Sequence, residues 1–419
     1  MQNQNWRFLS KVIAVAAVTV LVVSFSTFAM AQGGDAVHAM FVSAPKEATN
    51  IKGVSIIADR PKGFNPLTAS SEELGRYGLP QRPDRLADAK RYAMWARAMQ
   101  ALRYRPAAHL EAKPYSSTNL MPAKRQRAAR AISGQTLSNS LNWSGVASTN
   151  RLTSWDTTPA NTSFTTVESF WVVSAAQPPL GACAADPPIT GATGVPGFFE
   201  VSWNGIDGAT NGDVLQGGSL SYAQCGGPAA EYEGWVEWYP SYPILVIWCS
   251  PGPEIPPTVS VTPCPVSAGD DFFVVTNGAN STLQYVMVED LNQGWGATFE
   301  LTQAPDTPPL VGSSAEWVVE RPCCDTTPLP APEVGYYPLA LANYFLTFFD
   351  FAIGVDGAGT SFWPGAQTAA TEIFTMVDDD GDTTNPISDV LVGGTGFQGQ
   401  YSILFDSAGC ANTGGCASK

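Results

Sequence analysis

The chain has 419 residues, of which 44% are hydrophobic, 11% aromatic and only 14% charged, with 39 Gly and 33 Pro. That is too much apolar and aromatic material for a disordered acidic chain, and it describes a turn-rich folded protein. The net charge of −15 conceals a split: 19 basic and 8 acidic residues through Arg130 (+11), then 3 basic and 29 acidic residues (−26).

From the N-terminus, Arg7 and Lys11 precede an apolar run from Val12 to Phe28 and a small-x-small site at Ala29-Met30-Ala31. This pattern predicts a secretory signal peptide over residues 1–31, with a retained membrane anchor as the alternative. No second apolar stretch of that length follows, so the mature protein is expected free of the membrane, secreted to an extracellular or periplasmic space.

Residues 32–130 read as a basic propeptide. Tyr92, Trp95, Met99 and Leu102 recur at helical spacing with Arg91, Arg97 and Arg103 between them, which predicts a basic amphipathic helix. Lys124-Arg125-Gln126-Arg127 and Arg130 form a basic connection suited to processing. A leader at +11 is expected to bind a body at −26 near neutral pH, to inhibit it, and to be released as carboxylates protonate. A permanently attached small domain is the alternative.

The body, residues 131–419, shows short strand-like runs separated by Gly, Pro, Asn and Asp, such as Phe164 to Val173, Trp235 to Tyr239, Leu283 to Glu289 and Thr371 to Val377. An all-β antiparallel sandwich is predicted. All eight Cys lie in the body, at 183, 225, 249, 264, 323, 324, 410 and 416, and four disulfides are expected, with Cys410 and Cys416 able to close a short loop. Asn142, Asn161 and Asn280 begin glycosylation sequons.

Both His residues, His38 and His109, precede the body, and its sole Lys is Lys419. Within the body this excludes Ser-His and Cys-His pairs, a His-ligated zinc site and an internal Ser-Lys dyad. So negative a surface repels phosphate, so nucleic acid is not an expected partner. No cofactor and no metal are expected, and Asp378 to Asp382 reads as a solvated hairpin turn. Glu289-Asp290 and Glu231/Glu233 read as ordinary strand-edge charges.

Acid–base work then falls to carboxylates, assisted by amides and backbone donors. In Glu233-Gly234-Trp235-Val236-Glu237-Trp238-Tyr239-Pro240, strand alternation sets Trp235, Glu237 and Tyr239 on one face and Trp238 on the other. A Glu between aromatics is a candidate acid or base; a satisfied or half-exposed Glu is the plain alternative. Trp203-Asn204-Gly205-Ile206-Asp207-Gly208 precedes Val214-Leu215-Gln216-Gly217-Gly218, where Gln216 offers an amide donor for an oxyanion.

Taken together, the segments Trp203 to Gly208, Val214 to Gly218 and Trp235 to Pro240 resemble the signature segments of the glutamic peptidases, or eqolisins. Asn142-Trp143-Ser144-Gly145 resembles the family's opening strand, and Ala315-Glu316-Trp317-Val318-Val319-Glu320 with Tyr337 to Phe349 its closing half. The resemblance runs from about Ser140 to about Tyr401 and implies a lectin-like, jelly-roll-related sandwich of two antiparallel sheets. It further implies a monomeric endopeptidase acting at acid pH on protein or peptide substrates. Gln216 and Glu237 would be the catalytic pair, with Trp203, Asp207, Trp235 and Tyr239 in the cleft or supporting it. One departure stands out: the family commonly has an Asp a few residues after the Gln, where this chain reads Ser219-Leu220-Ser221. Two rivals of another class are a glycoside hydrolase on a lectin-like sandwich and a carbohydrate-binding protein, for which 12 Trp and 13 Tyr would serve as sugar platforms.

Overall fold

A computed structural model describes residues 44–118, 120, 135–149, 163–178, 197–226, 230–250, 261–278, 280–322, 341–342, 348–357, 359, 361–362, 370–377, 388–392 and 401–405. The signal segment, the 121–134 connection, Asp378 to Asp382, Asn161, and Cys183, Cys323, Cys324, Cys410 and Cys416 lie outside the described residues.

The N-terminal part supplies β1 (Lys46–Ala48), β2 (Val54–Ile57), α1 (Ser71–Arg76), α2 (Ala89–Ala101) and β3 (Leu110–Ala112). The body continues with β4 (Gln135–Ser140), β5 (Trp143–Thr149), β6 (Phe164–Val172), β7 (Ala176–Gln177), β8 (Gly197–Ile206), β9 (Val214–Gln224), β10 (Glu231–Tyr239) and β11 (Leu245–Cys249). Next come β12 (Thr262–Pro263), β13 (Asp271–Gly278), β14 (Leu283–Asp290), β15 (Trp295–Thr302) and β16 (Ser314–Glu320). The last are β17 (Leu341–Ala342), β18 (Phe348–Asp356), β19 (Ser361–Phe362), β20 (Ala370–Met376), β21 (Ser388–Val392) and β22 (Tyr401–Phe405).

Two large sheets face each other. Sheet A runs β1-β2-β15-β14-β13-β6-β18-β22-β21, and sheet B runs β12-β11-β10-β9-β8-β16-β5-β20-β4, with β3 added at β11. Pairing is antiparallel except for β20 with β4. This is the predicted two-sheet sandwich, and alternation explains it: Val286 and Val288 of β14 face inward with Val236 and Trp238 of β10 in one core. The other face of sheet B is also apolar, carrying Trp143, Phe199, Trp203, Leu220, Trp235 and Val318. Trp235 and Trp238 therefore lie on opposite faces, as alternation requires.

The N-terminal segment is built into both sheets. Its β2 pairs with β15, and its β3 pairs with β11. The spacing-predicted helix is α2, which buries Trp95, Ala98 and Met99; Leu102 is its C-cap residue. With Leu74 and Leu79 they cover Phe170, Phe273, Val275, Met287 and Leu291 on the outer face of sheet A.

That cover corrects one expectation. Glu289 and Asp290 are fully buried, because Leu102 and Gly296 close over Glu289 and the turn at 291–294 closes over Asp290. Burial pushes the Glu289 carboxyl well above its ordinary range, and lifts Asp290 to about 8. Glu233 is likewise nearly buried, paired with Lys113, while Glu231 is exposed as expected. Asn142 is also fully buried and spends its side-chain amide on internal acceptors, so in this fold its sequon is not open to a glycan.

Of the eight Cys, Cys249 and Cys264 form a disulfide with Cα atoms 4.7 Å apart, fastening β11 beside β12, and Cys225 is disulfide-bonded too. No helix among the described residues is long and apolar enough to cross a membrane.

Candidate active site

Antiparallel register brings the two residues singled out in the sequence together. Gln216 of β9 lies directly opposite Glu237 of β10 and, on its other side, opposite Gly205 of β8. The Gln216 amide Nε2 donates to Glu237 Oε2 at 2.8 Å. Gly205 is required here: a Cβ would stand 3.2 Å from that of Gln216 and 2.7 Å from the Leu215 carbonyl. All three carry the site on rigid central strands, where side-chain geometry is most precisely held.

A second carboxylate, Glu320 of β16, joins them. Its Oε2 accepts from Trp203 Nε1 at 2.9 Å, and its Oε1 from Asn142 Nδ2 at 3.2 Å. Glu237 and Glu320 are fully buried and repel one another as anions. Burial first, then Glu320, drives the Glu237 carboxyl well above its ordinary range; the Ser117 N–H and Gln216 partly oppose this. Burial lifts Glu320 to about 8 against the opposing donors Thr118 N–H, Trp203 and Asn142.

The site is covered by residues 113–118 and 120, a strap from the N-terminal segment. It crosses the strands of sheet B: Lys113 N–H donates to the Ile244 carbonyl at 2.9 Å and its Nζ lies 2.9 Å from Glu233 Oε1. Ser117 N–H then meets Glu237 Oε2 at 3.1 Å and Thr118 N–H meets Glu320 Oε1 at 2.9 Å. At the far side Trp143 Nε1 donates to the Thr118 carbonyl at 3.0 Å, and Leu120 N–H to the Gly208 carbonyl at 3.0 Å. Two consecutive amides thus rest on the two carboxylates.

A family model described as the peptidase A4 family matches residues 142–384. The chain belongs to the peptidase A4 family. It is therefore a glutamic-type peptidase, and the matched span holds Asn142, Trp203, Gln216, Glu237 and Glu320. Similar solved structures are scytalido-glutamic peptidase with a transition state analog inhibitor (18% identity, TM-score 0.42, covering 63% of this chain and 98% of that one) and SCP-B, an eqolisin in complex with the tripeptide Ala-Ile-His (16%, 0.41, 63% and 98%). Aspergilloglutamic peptidase from Aspergillus niger is a third (20%, 0.34, 50% and 99%). No curated protein matches the chain in sequence.

The remaining sequence-singled residues of this A4-family chain divide by position. Trp203 is fully buried, edge-on to Trp143 at 5.0 Å. Tyr239 is half-buried and Trp235 fully buried. Asp207 is fully buried just after β8. Held at φ 70°, it accepts from the N–H groups of Val311, Gly312 and Ser313 and from the Ser313 hydroxyl, at 2.6 to 2.7 Å, and so fixes the turn before β16. In the Ser219-Leu220-Ser221 stretch that stands where the family commonly has an Asp, Leu220 is on the face of Gln216 and packs among Phe199, Val201 and Trp235. The fixed partner of Gln216 is Glu237 instead.

Glu320 was within reach of sequence reasoning. Alternation in Glu316-Trp317-Val318-Val319-Glu320 puts Glu316 and Glu320 on the face of Val318, which is the face of Gln216. What spacing does not show is that Trp203 and Asn142, far apart in sequence, converge on Glu320 alone.

Proposed function

We propose that the chain is a secreted endopeptidase in which Gln216, Glu237 and Glu320 hydrolyse peptide bonds at acid pH, synthesised with a signal at 1–31 and an inhibitory leader over 32–130. The observation that carries this reading is the strap: a peptide backbone lies across the cleft with two amide N–H groups on the two carboxylates.

With the strap displaced, water takes the place of those amides. The two carboxylates share one proton, because like charges this close in a desolvated site do not both ionise. Glu320 is the better carrier of the negative charge, since Trp203 and Asn142 donate to it from the body itself. Glu237 holds the shared proton and orients Gln216. The pair removes a proton from water as its oxygen bonds to the substrate carbonyl carbon. The second hydrogen of Gln216 Nε2 meets the developing oxyanion. The pair then returns a proton to the nitrogen as the C–N bond breaks, and no covalent enzyme intermediate forms.

The docked strap is not positioned for this reaction. It presents N–H donors to the carboxylates and excludes the water they would activate, which accounts for inhibition by the leader. The test is hydrolysis of denatured protein at acid pH by purified Gln216→Ala, Glu237→Gln and Glu320→Gln chains, with polysaccharides as control substrates. Each variant should fold and lose about 10²-fold or more of its activity. Retained proteolysis in any one removes that residue, and cleavage of polysaccharide alone overturns the reading.

A further inference from the structure

We propose that the cleft selects peptides bearing an aromatic residue two or three positions before the cleaved bond, through a pocket formed by Phe199 and Tyr222. The strap is the template, and the inference rests on the peptidase reading above. Its amides at Ser117 and Thr118 mark where the carboxylates act. Ser117 and Thr118 are buried over the carboxylates with Ser116 half-buried beside them, and the first large side chain before them is Tyr115. Its ring meets Phe199 edge-on at 5.1 Å, and Phe199 leans on Tyr222 at 4.5 Å.

Phe199 and Tyr222 are cross-strand partners on β8 and β9, so their rings are brought together by the sheet register and not by the strap. The pocket therefore persists when the strap leaves. Tyr115, Tyr222 and Leu120 all pack against the apolar cluster of this face. An edge-on ring contact favours Phe, Tyr or Trp over an aliphatic side chain of equal area. Two residues earlier the strap places Lys113 on Glu233, so a cation at that position adds to the preference. The substrate class is a cationic, aromatic-bearing unfolded segment with small residues at the cleaved bond, which also suits a body with 3 basic and 29 acidic residues.

The experiment uses the acid-incubated full chain and quenched fluorescent peptides built on Lys-Pro-Tyr-Ser-Ser-Thr, with Tyr replaced by Phe or Ala and Lys by Ala, cleavage positions being read by mass spectrometry. Tyr→Ala in the peptide should lower kcat/KM about tenfold, mainly through KM, and Tyr→Phe should preserve it. Phe199→Leu, which stays apolar but removes the ring, and Tyr222→Ala should each bring the Tyr peptide down toward the Ala peptide. Near-UV circular dichroism checks their folding. Equal rates for Tyr and Ala peptides, or a ratio unchanged in Phe199→Leu, overturn the inference while leaving the peptidase reading intact. If no peptide is cleaved, the peptidase reading fails, and binding decides the inference. Labelled Tyr and Ala peptides are titrated onto the Gln216→Ala chain, where a Tyr preference lost in Gln216→Ala/Phe199→Leu supports the pocket and equal affinities overturn it.

Discussion

The N-terminal segment adds β2 and β3 to the edges of the two sheets, and two of its further interfaces, the helical cover and the strap, are chemically unlike. Against sheet A it offers Leu74, Leu79, Trp95, Ala98 and Met99 to Phe170, Phe273, Val275, Met287 and Leu291, and its β2 continues the backbone ladder beyond β15. Against the outer face of sheet B the strap offers mainly backbone N–H groups, a Lys113–Glu233 pair and one half-buried ring. Burial of each large apolar side chain contributes about 1.5–3 kcal/mol. A hydrogen bond replaceable by water contributes roughly 0.5–1.5 kcal/mol net. The first interface has the character of a core and the second that of a bound ligand. Displacement of the strap alone would open the site, with the helical cover still in place.

The largest effect that would sharpen the comparison is expected at Trp95, fully enclosed and donating its indole N–H to the Pro80 carbonyl. Trp95→Ala should destabilise the chain by about 3–5 kcal/mol, seen as a lowered denaturant midpoint. A loss below about 1 kcal/mol would place the helical part with the strap. Next is the strap itself: Ser117→Pro with Thr118→Pro removes both N–H donors from the carboxylates. Peptidase activity before any acid incubation should rise about tenfold or more, with a midpoint shift of no more than about 1–2 kcal/mol. A destabilisation equal to that of Trp95→Ala would erase the distinction between the interfaces.

How much of this was legible follows from which contacts are local. Period-two alternation was enough to place Trp235, Glu237 and Tyr239 on one face, and the same rule would have added Glu320. The Gln216–Glu237 contact was implied only by resemblance, because the register of β9 against β10 is set by the turn and core between them. Helical spacing at Tyr92, Trp95 and Met99 revealed α2 but not its location. Glu289 illustrates the limit: next to Asp290 near a strand end it reads as a surface charge, and its burial depends on Leu102, almost two hundred residues earlier, folding across it.

Acidity should act on the strap interface in two opposing senses. Glu237 and Glu320 are raised by burial beneath the strap, so docking takes up protons. Their contribution to docking is full below the ordinary carboxylate range and is lost as pH rises through it, toward about 8 for Glu320. Lys113–Glu233 acts the other way, since protonating Glu233 ends the pair; burial raises Glu233 and Lys113 opposes that rise. Tyr239 is raised above the phenol range and stays neutral throughout. With two carboxylates against one pair, a peptide of residues 113–120 should bind the strap-altered chain at least about tenfold more weakly at pH 8 than at pH 5, by fluorescence anisotropy. Affinity that rises with pH would restore release in acid as a property of the whole leader.

The ion pairs of α2 on sheet A are where the smallest effects are expected. Arg97 reaches Asp271 from a half-exposed position, and Arg91 reaches Glu168, which is nearly buried. An exposed pair gains little Coulomb energy in water and loses side-chain entropy, so Arg97→Ala should change the denaturant midpoint by no more than about 0.5 kcal/mol. Arg91→Ala should do more, about 1–3 kcal/mol, because it leaves the Glu168 carboxylate in place without its partner. If the two variants fall equally, the helical part is held by general charge attraction. If Arg91→Ala alone is costly and Arg97→Ala is silent, apolar burial and one enclosed pair hold it, and the +11 of the leader matters little to its grip.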